Sequence, residues 1–382
     1  MDTLAATALA LAALGVLLLP RRGAVLALLA GGCYLPMGLE LHLGAFNFYA
    51  LRLLLLLGFV RVLLRGSGPA QAFNRLDWAV GIWAFLALAS APFHENAANV
   101  FVNRLGMVYT ACGTYLVLRH LCRDAGDVAA LCRSVTLVLI PVAIEMLYER
   151  RTGENLFALI GGVDTLSEVR NGTIRAQGPF AHSILAGSVG AAALPLAIAL
   201  WNTHWKTAAV GTAGCLAMVY TSGSSGPLMG ATFAVLALFA WSLRGHMRLL
   251  RWAAVCAYIG MDIVMNAPAY YLLARIDLTG SSTSWHRAAL IESAIAHLPE
   301  WWFAGTDTTR HWMPYGVPWS DSHVDITNHY LRMGVDGGLP LLLAFVFLLV
   351  AAFSRVGRAL IPSIGTAHPA PFLVWALGRS EE

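Results

Sequence analysis

Polar positions along this chain are sparse and bunched, and apolar runs of about 16 to 22 residues recur between them. Each run is long enough to cross a hydrocarbon core of about 30 Å at 1.5 Å per residue. The pattern predicts spans near residues 3–20, 23–38, 46–65, 77–92, 99–120, 127–148, 180–202, 205–220, 226–244, 250–272 and 338–355, with a further short apolar run after 357. Hydrophobicity is uniform along each run and Gly and Pro are scattered through it, whereas a barrel strand would alternate apolar and polar positions. The expected fold class is therefore all-α, a polytopic integral membrane bundle of about 11–12 transmembrane helices. The opening stretch "MDTLAATALALAALGVLLLPRR" reads as a helix rather than a signal peptide, because it lacks a basic leading region and runs into a second apolar segment.

Composition agrees: 58% of residues are hydrophobic and 12% charged, against roughly 25% charged in a soluble domain. Basic residues fix an orientation. The connections with Arg21/Arg22, Arg65/Arg75, Arg119/Arg123, Lys206, Arg244/Arg248/Arg251 and Arg355/Arg358 share one side, and "GLELHLG", "PFHENAAN" and "TSGSSGP" on the other carry no Lys or Arg. The first side is predicted cytoplasmic. Two long polar connections, 149–179 and 273–337, then extend outward, dividing the chain into N-terminal helices (1–148), a region with both loops (149–355) and a C-terminal tail or partial helix (356–382). The net charge of +4 is absorbed by this topology signal and gives no reason to expect nucleic acid. The six Cys lie in or beside apolar runs without CxxC or His pairing, so they read as packing residues rather than disulfides or zinc ligands.

Four charges fall inside apolar runs: Arg52, Arg104, Glu145 and Asp262. Such charges either pair between helices or mark a pathway or site; their shared outward depth in this topology favours a polar pocket beneath the loops. In the first loop, Asn171-Gly172 between "EVR" and "TIR" predicts a tight hairpin pairing Arg170 with Thr173, Val169 with Ile174 and Glu168 with Arg175. That register offers Arg175 a structural partner in Glu168. His182 falls in the first turn of the next helix, and "YTSGSSGPLMG" (220–230) reads as an N-cap region ahead of Pro227.

In the second loop, Ser284 can cap a surface helix running to about His297, with His286 and Arg287 at its N-terminus, where orphan amides favour an anion. Trp301, Trp302, Trp312 and Trp319 are expected at headgroup level. The densest polar run, "SDSHVDITNHYLRMGVDGG" (320–338), leads straight into an apolar segment. If a helix starts at Asp325, then Asp325, Asn328, His329 and Arg332 share one face at i, i+3, i+4 and i+7.

Together these residues resemble the O-antigen ligase and O-antigen polymerase superfamily of bacterial membrane glycan enzymes, over about residues 145 to 355. The resemblance rests on "RAQGPFAHSILAG", "SGSSGPLMG", "WHRAALIESAIAHLPEWWFAGTD" and "DITNHYLRMGVDGGLPLLLAF", in that order. Two positions depart from the family pattern: Thr327-Asn328 stands where His-Asn is common, and Ser224 or Ser225 replaces the Arg of an S-R-G stretch. The resemblance implies a divergent, exopolysaccharide-type branch located in the bacterial inner (cytoplasmic) membrane, with its active face periplasmic. It implies transfer of a glycan from undecaprenyl pyrophosphate to an acceptor sugar hydroxyl, without cofactor, nucleotide or metal. A polymerase acting on another lipid-linked repeat comes first, a ligase acting on lipid A core second. A glycolipid transporter, or a non-catalytic scaffold working with polysaccharide export proteins, remains a further alternative.

Under this resemblance the expected catalytic groups are His329, His323 and Asp325. Either histidine has a side chain suited to a base near neutral pH. The pyrophosphate and substrate would be held by Arg175, Arg287, His286, Asn328, His182, Arg332, Arg104 and Arg52, the arginines through bidentate, charge-assisted hydrogen bonds.

Overall fold

The computed structural model describes residues 3–43, 46–65, 73–170, 172–265, 268–272 and 284–360. Asn171 of the expected hairpin turn, residues 273–283 of the second long connection and the last apolar run beyond 360 lie outside them. The architecture is all-α. In chain order the helices are α1 (Thr3–Leu18), α2 (Arg21–Tyr34), α3 (Ala50–Leu64), α4 (Arg75–Ala89), α5 (Ala97–Leu121), α6 (Ala125–Thr152), α7 (Ser183–Ala199), α8 (Trp205–Thr221), α9 (Ser225–Phe239), α10 (Met247–Val264), α11 (Ser284–Ala296), the short α12 (Leu298–Trp301) and α13 (His329–Leu360). The stretches Arg75–Phe93, Ala125–Thr152 and His329–Val356 are long and apolar enough to cross a membrane, and Thr3–Leu18, Ser183–Ala199 and Ser225–Phe239 are shorter apolar helices.

Two expected spans are changed. The run at 46–65 begins with a strand: β2 (Phe46–Tyr49) pairs antiparallel with β1 (Glu40–Leu43), and α3 starts only at Ala50. The aromatic sequence Phe-Asn-Phe-Tyr suits a pleated pair better than a first helical turn. The run at 250–272 stops early: α10 ends at Val264, and Asp262 Oδ1 accepts the amide of Ala269 at 2.9 Å, drawing the chain into a 3-10 turn at Ala269–Tyr271. Asp262, one of the four charges inside apolar runs, is thereby a local cap.

The chain divides into two compact units that do not follow chain order; the divisions fall inside α5, after Trp241 and inside α13. The first unit holds residues 1–71, 109–241 and 356–382. One core, with Leu139, Val142, Met146, Leu194 and Met218, joins α6 to α9. The helices α7 and α8 approach through small residues: a Cβ on Gly187 would lie 2.5 Å from Ser222 Oγ, and one on Gly190 2.8 Å from Met218 Cβ. Small residues of this kind let the two helix backbones approach closely and gain van der Waals packing. A second core, with Val25, Leu28, Leu54, Leu55 and Val117, joins α1, α2, α3 and the end of α5. Beside it the buried Arg61 donates Nη1 to the carbonyls of Val16 (2.6 Å) and Leu17 (3.2 Å), and Arg65 donates to Leu18 (3.2 Å). These are last-turn carbonyls of α1, which have no partner within their own helix.

The connection after α6 is tied down from that helix. Glu149, fully buried, accepts Ser167 Oγ (2.8 Å) and the amides of Gln177 (3.0 Å to Oε2) and Gly178 (2.8 Å). Glu145 Oε1 accepts the amide of Leu156 at 2.9 Å, and Asn155 Nδ2 donates to the Gly178 carbonyl at 2.8 Å. The strands β3 (Glu168–Arg170) and β4 (Thr173–Arg175) pair in the register expected from Asn-Gly, Glu168 opposite Arg175.

The second unit holds residues 72–108 and 242–355. Asn74 and Asp77 form a reciprocal capping box at the start of α4. A third core contains Leu290, Ala294, Trp301, Trp312, Met313, Val324 and Val335. Two of the tryptophans expected at headgroup level are therefore internal: Trp301 and Trp312 are each 4% exposed, and Trp301 Nε1 donates to the Ala294 carbonyl at 2.8 Å. Trp302 and Trp319 are exposed.

Candidate functional site

The polar run at 320–338 does not enter a helix where the pattern suggested. Helix α13 begins at His329, so Asp325 and Asn328 precede it and the four-residue face does not form. The reason is local: Asp325 is held in extended pairing by its amide to the Val317 carbonyl at 2.8 Å. Asn328 Oδ1 accepts the amide of Tyr330 at 3.0 Å, an N-cap interaction. The helix then breaks at Gly337 and Gly338, the latter at φ +74°, and resumes into its apolar length. The break is stitched from outside: Leu339 N–H donates to the Trp302 carbonyl (2.7 Å) and Thr306 N–H to the Val335 carbonyl (3.0 Å). Gly305, at φ +96°, faces the same carbonyl so closely that any Cβ would overlap it.

Around this break the second unit gathers its charged groups. The buried ring of His94, from the turn after α4, has Nδ1 2.6 Å from Asp307 Oδ1, and Asp307 Oδ2 accepts the amide of Glu95 at 2.7 Å. His94 Nε2 lies 3.1 Å from the Ala304 carbonyl, 3.3 Å from the Asp336 carbonyl and 3.3 Å from Arg104 Nη2. A proton on Nε2 is donated to the carbonyls; without it the lone pair accepts from Arg104. Arg104, buried in α5, also donates to Ser90 Oγ at 3.0 Å. Arg332 Nε pairs with Asp336 Oδ2 at 3.2 Å, one helical turn on.

Electrostatics in this cluster are coupled. Burial pushes the Asp307 carboxyl up, but the Glu95 amide, the His94 hydrogen bond and the charges of His94 and His323 outweigh it and hold the group below its ordinary value. Half-buried His323 goes down, chiefly by burial and then by Arg332, against opposing pulls from Asp307 and Asp336. It is neutral at pH 7, and Nδ1 lies 2.8 Å from Ser322 Oγ. A neutral imidazole near Arg332, Asp307 and Asp336 can take a proton while the guanidinium group stabilises developing negative charge.

The other sequence-derived residues fall in varied settings. His329 is exposed, its ring edge-on to Phe345 at 5.2 Å. His286 is fully buried and bridges the Asp325 carbonyl (Nε2, 2.8 Å) and the Val317 amide (Nδ1, 3.4 Å), which makes it an internal brace. Half-buried Arg287 makes no hydrogen bond or ion pair with the other described residues. In the first unit, buried Arg175 donates Nη1 to Glu168 (3.0 Å) and Nε to the Ser222 carbonyl (3.3 Å). His182 caps α7, its Nδ1 accepting the Leu185 amide at 3.1 Å. Arg52 stands 4.8 Å from the Tyr49 ring centroid and lines a cavity of about 750 Å³ with Glu40, Asp164, Gln177 and Thr110. That volume is in the range of small-molecule sites.

His94, Asp307 and Asp336 were absent from the sequence-derived set. His94 and Asp307 are separated by 213 positions, a pairing no local spacing encodes; the available signals were a His in a loop without Lys or Arg and an Asp beside Gly305. None of the cluster belongs to the group of described side chains able to hold a metal, which is His297, Glu300 and His311. No family model, no curated protein and no solved structure matches the chain.

Proposed function

We propose that this chain is a multi-pass inner-membrane glycosyl transferase that works on its extracytoplasmic face, most simply as a polymerase of undecaprenyl pyrophosphate-linked glycan repeats. The membrane setting is supported by the long apolar helices and by large apolar side chains exposed along them, such as Phe85, Ile144 and Phe353. The observation that carries the reading is the charged cluster at the break in α13, where buried Arg104 contacts His94, His94 contacts Asp307, Arg332 pairs with Asp336, and half-buried His323 stands within the influence of Arg332, Asp307 and Asp336. Asp307, His323, Arg332 and Asp336 of this cluster lie within the run that resembles the ligase and polymerase superfamily, and His94 and Arg104 precede it.

In this reading the acceptor hydroxyl oxygen attacks the anomeric carbon of the donor. The bond from that carbon to the pyrophosphate oxygen breaks, undecaprenyl pyrophosphate leaves with the electron pair, and His323 takes the hydroxyl proton. In-line attack inverts the anomeric configuration. Arg287, free of protein partners among the described residues, and Arg332 supply charge to the leaving group. His323 replaces His329 as the preferred base, because His323 is half-buried under the influence of Arg332, Asp307 and Asp336 whereas His329 is exposed with its ring against Phe345. One observation favours a second reading, a non-catalytic scaffold of polysaccharide export: Arg175, expected to clamp the pyrophosphate, is already tied to Glu168 and Ser222.

The test is purified protein in detergent with a lipid-linked repeat from the native host and no nucleotide or added divalent ion, followed by gel analysis of the glycan. Ladder growth that is lost in His323→Ala and Arg287→Ala supports the polymerase. Transfer that appears only when lipid A core is supplied means a ligase. Full activity in both variants ends the proposed chemistry, and silence with both acceptors moves the protein to the scaffold reading.

A further inference from the structure

The end of α11, the short α12 and the 3-10 turn at Arg310–Trp312 bring together His297, Glu300 and His311, outside the charged cluster described above. One potential ligand atom from each lies within 4.8 Å of the others. The surrounding contacts are those of a prepared ligand set. His297 Nδ1 donates to the Ser293 carbonyl at 2.8 Å, which leaves the Nε2 lone pair free of the ring proton. The His297 ring stacks on Trp312 at 5.6 Å with an interplanar angle of 18°, fixing its orientation.

Glu300 is oriented as well. Its Oε2 accepts Trp312 Nε1 at 2.9 Å and His311 Nε2 at 2.8 Å, so both described hydrogen bonds fall on one oxygen. The side chains of His311 and Glu300 are 49% and 39% exposed, which gives an ion a direct path from solvent.

We propose that His297, Glu300 and His311 bind a divalent transition-metal ion, with zinc the best match. Two imidazoles and one carboxylate, with water in the fourth position, form a zinc-type ligand set. The ion takes the place of the His311–Glu300 hydrogen bond, the single ring proton of His311 moving to Nδ1 so that Nε2 can bind, and Ser293 and Trp312 hold the other ligands from behind. It takes no part in the transfer step proposed above. Its place at the junction of α11, α12 and the Arg310–Trp312 turn makes it a clip on the layer that carries Trp301, Trp312 and Met313 in its core.

The experiment uses full-length protein in detergent, stripped with a chelator and titrated with Zn²⁺ by calorimetry and with Co²⁺ by visible absorption. Wild type is expected to take one equivalent of each ion, and the Co²⁺ spectrum should lack a thiolate charge-transfer band, which excludes the six cysteines. His297→Ala and the conservative Glu300→Gln should each weaken binding at least ~10-fold while eluting as monodisperse protein. Zn²⁺ should raise the unfolding temperature of wild type and leave that of the variants unchanged. Absence of saturable binding in wild type, a thiolate band, or wild-type affinity in folded Glu300→Gln overturns the proposal.

Discussion

Glu149 offers a way to separate hydrogen bonding from charge in the anchoring of the 153–181 connection. In Glu149→Ala the amides of Gln177 and Gly178 lose their acceptor inside a buried site, while Ser167 Oγ keeps the Gly153 carbonyl at 3.2 Å. Two orphaned buried amides cost about 1–3 kcal/mol each, so roughly 2–6 kcal/mol of local stability is lost. Glu149→Gln behaves differently. With its amide nitrogen in the Oε1 position it donates to Ser167 Oγ, and its remaining oxygen, in the Oε2 position, still accepts Gln177 (3.0 Å) and Gly178 (2.8 Å). Charge assistance and the second branch from the Gln177 amide to Oε1 (3.1 Å) are lost, about 1 kcal/mol together, and removing a buried charge partly offsets it. Hydrogen exchange by mass spectrometry of residues 153–181 in detergent is the assay. Exchange in the alanine variant should accelerate by about 30-fold or more, and in the glutamine variant by no more than about five-fold, at about 1.4 kcal/mol per decade. Equal acceleration in the two variants would refute the reasoning, because the anion rather than its acceptor geometry would then be holding the connection.

Three further outcomes are expected. The depressed Asp307 carboxyl contributes stability that is fully present above its ordinary value of 3.8 and is lost as pH falls through its lower folded value; protection of the Glu95 amide should follow that window in wild type and lose it in Asp307→Asn. Because burial and then Arg332 push His323 down, Arg332→Ala should move the acidic limb of the transfer rate to higher pH, read from a pH profile of glycan ladder growth. Gly338→Ala places a Cβ against the Phe303 carbonyl at a φ of +74°. The strain alone is about 1–3 kcal/mol, and a lower unfolding temperature in micelles with faster exchange at Leu339 would record it.

Helices were legible because their lengths are set by apolar runs, and the β3–β4 register because Asn-Gly admits one tight turn. The β1–β2 hairpin was hidden, since Phe46–Tyr49 is as apolar as the helix it precedes. Trp301 and Trp312 misled for a related reason: an aromatic near a polar loop suits an interface or a core equally, and only the neighbouring Ala294, Met313 and Val324 decide. At the site, Arg104, His323 and Arg332 could be picked out as charges near the outward loops. Their organiser could not, because it is the His94–Asp307 bond across 213 positions, assembled by a helix break whose outer stitches come from Trp302 and Thr306.

That break also fixes a depth. The apolar length of α13 does not start freely: its first amide, at Leu339, is spoken for by Trp302 in the layer above. In a bilayer, a helix of this kind ordinarily meets a change in lipid thickness by sliding or tilting. Here sliding would pull the Leu339 amide from the Trp302 carbonyl and drag Val335 and Asp336 from Thr306 and His94. In the membrane setting proposed above, lipid thickness is thereby coupled to the geometry of the charged cluster, and a thinner membrane should act on this protein as a mutation at Gly338 does.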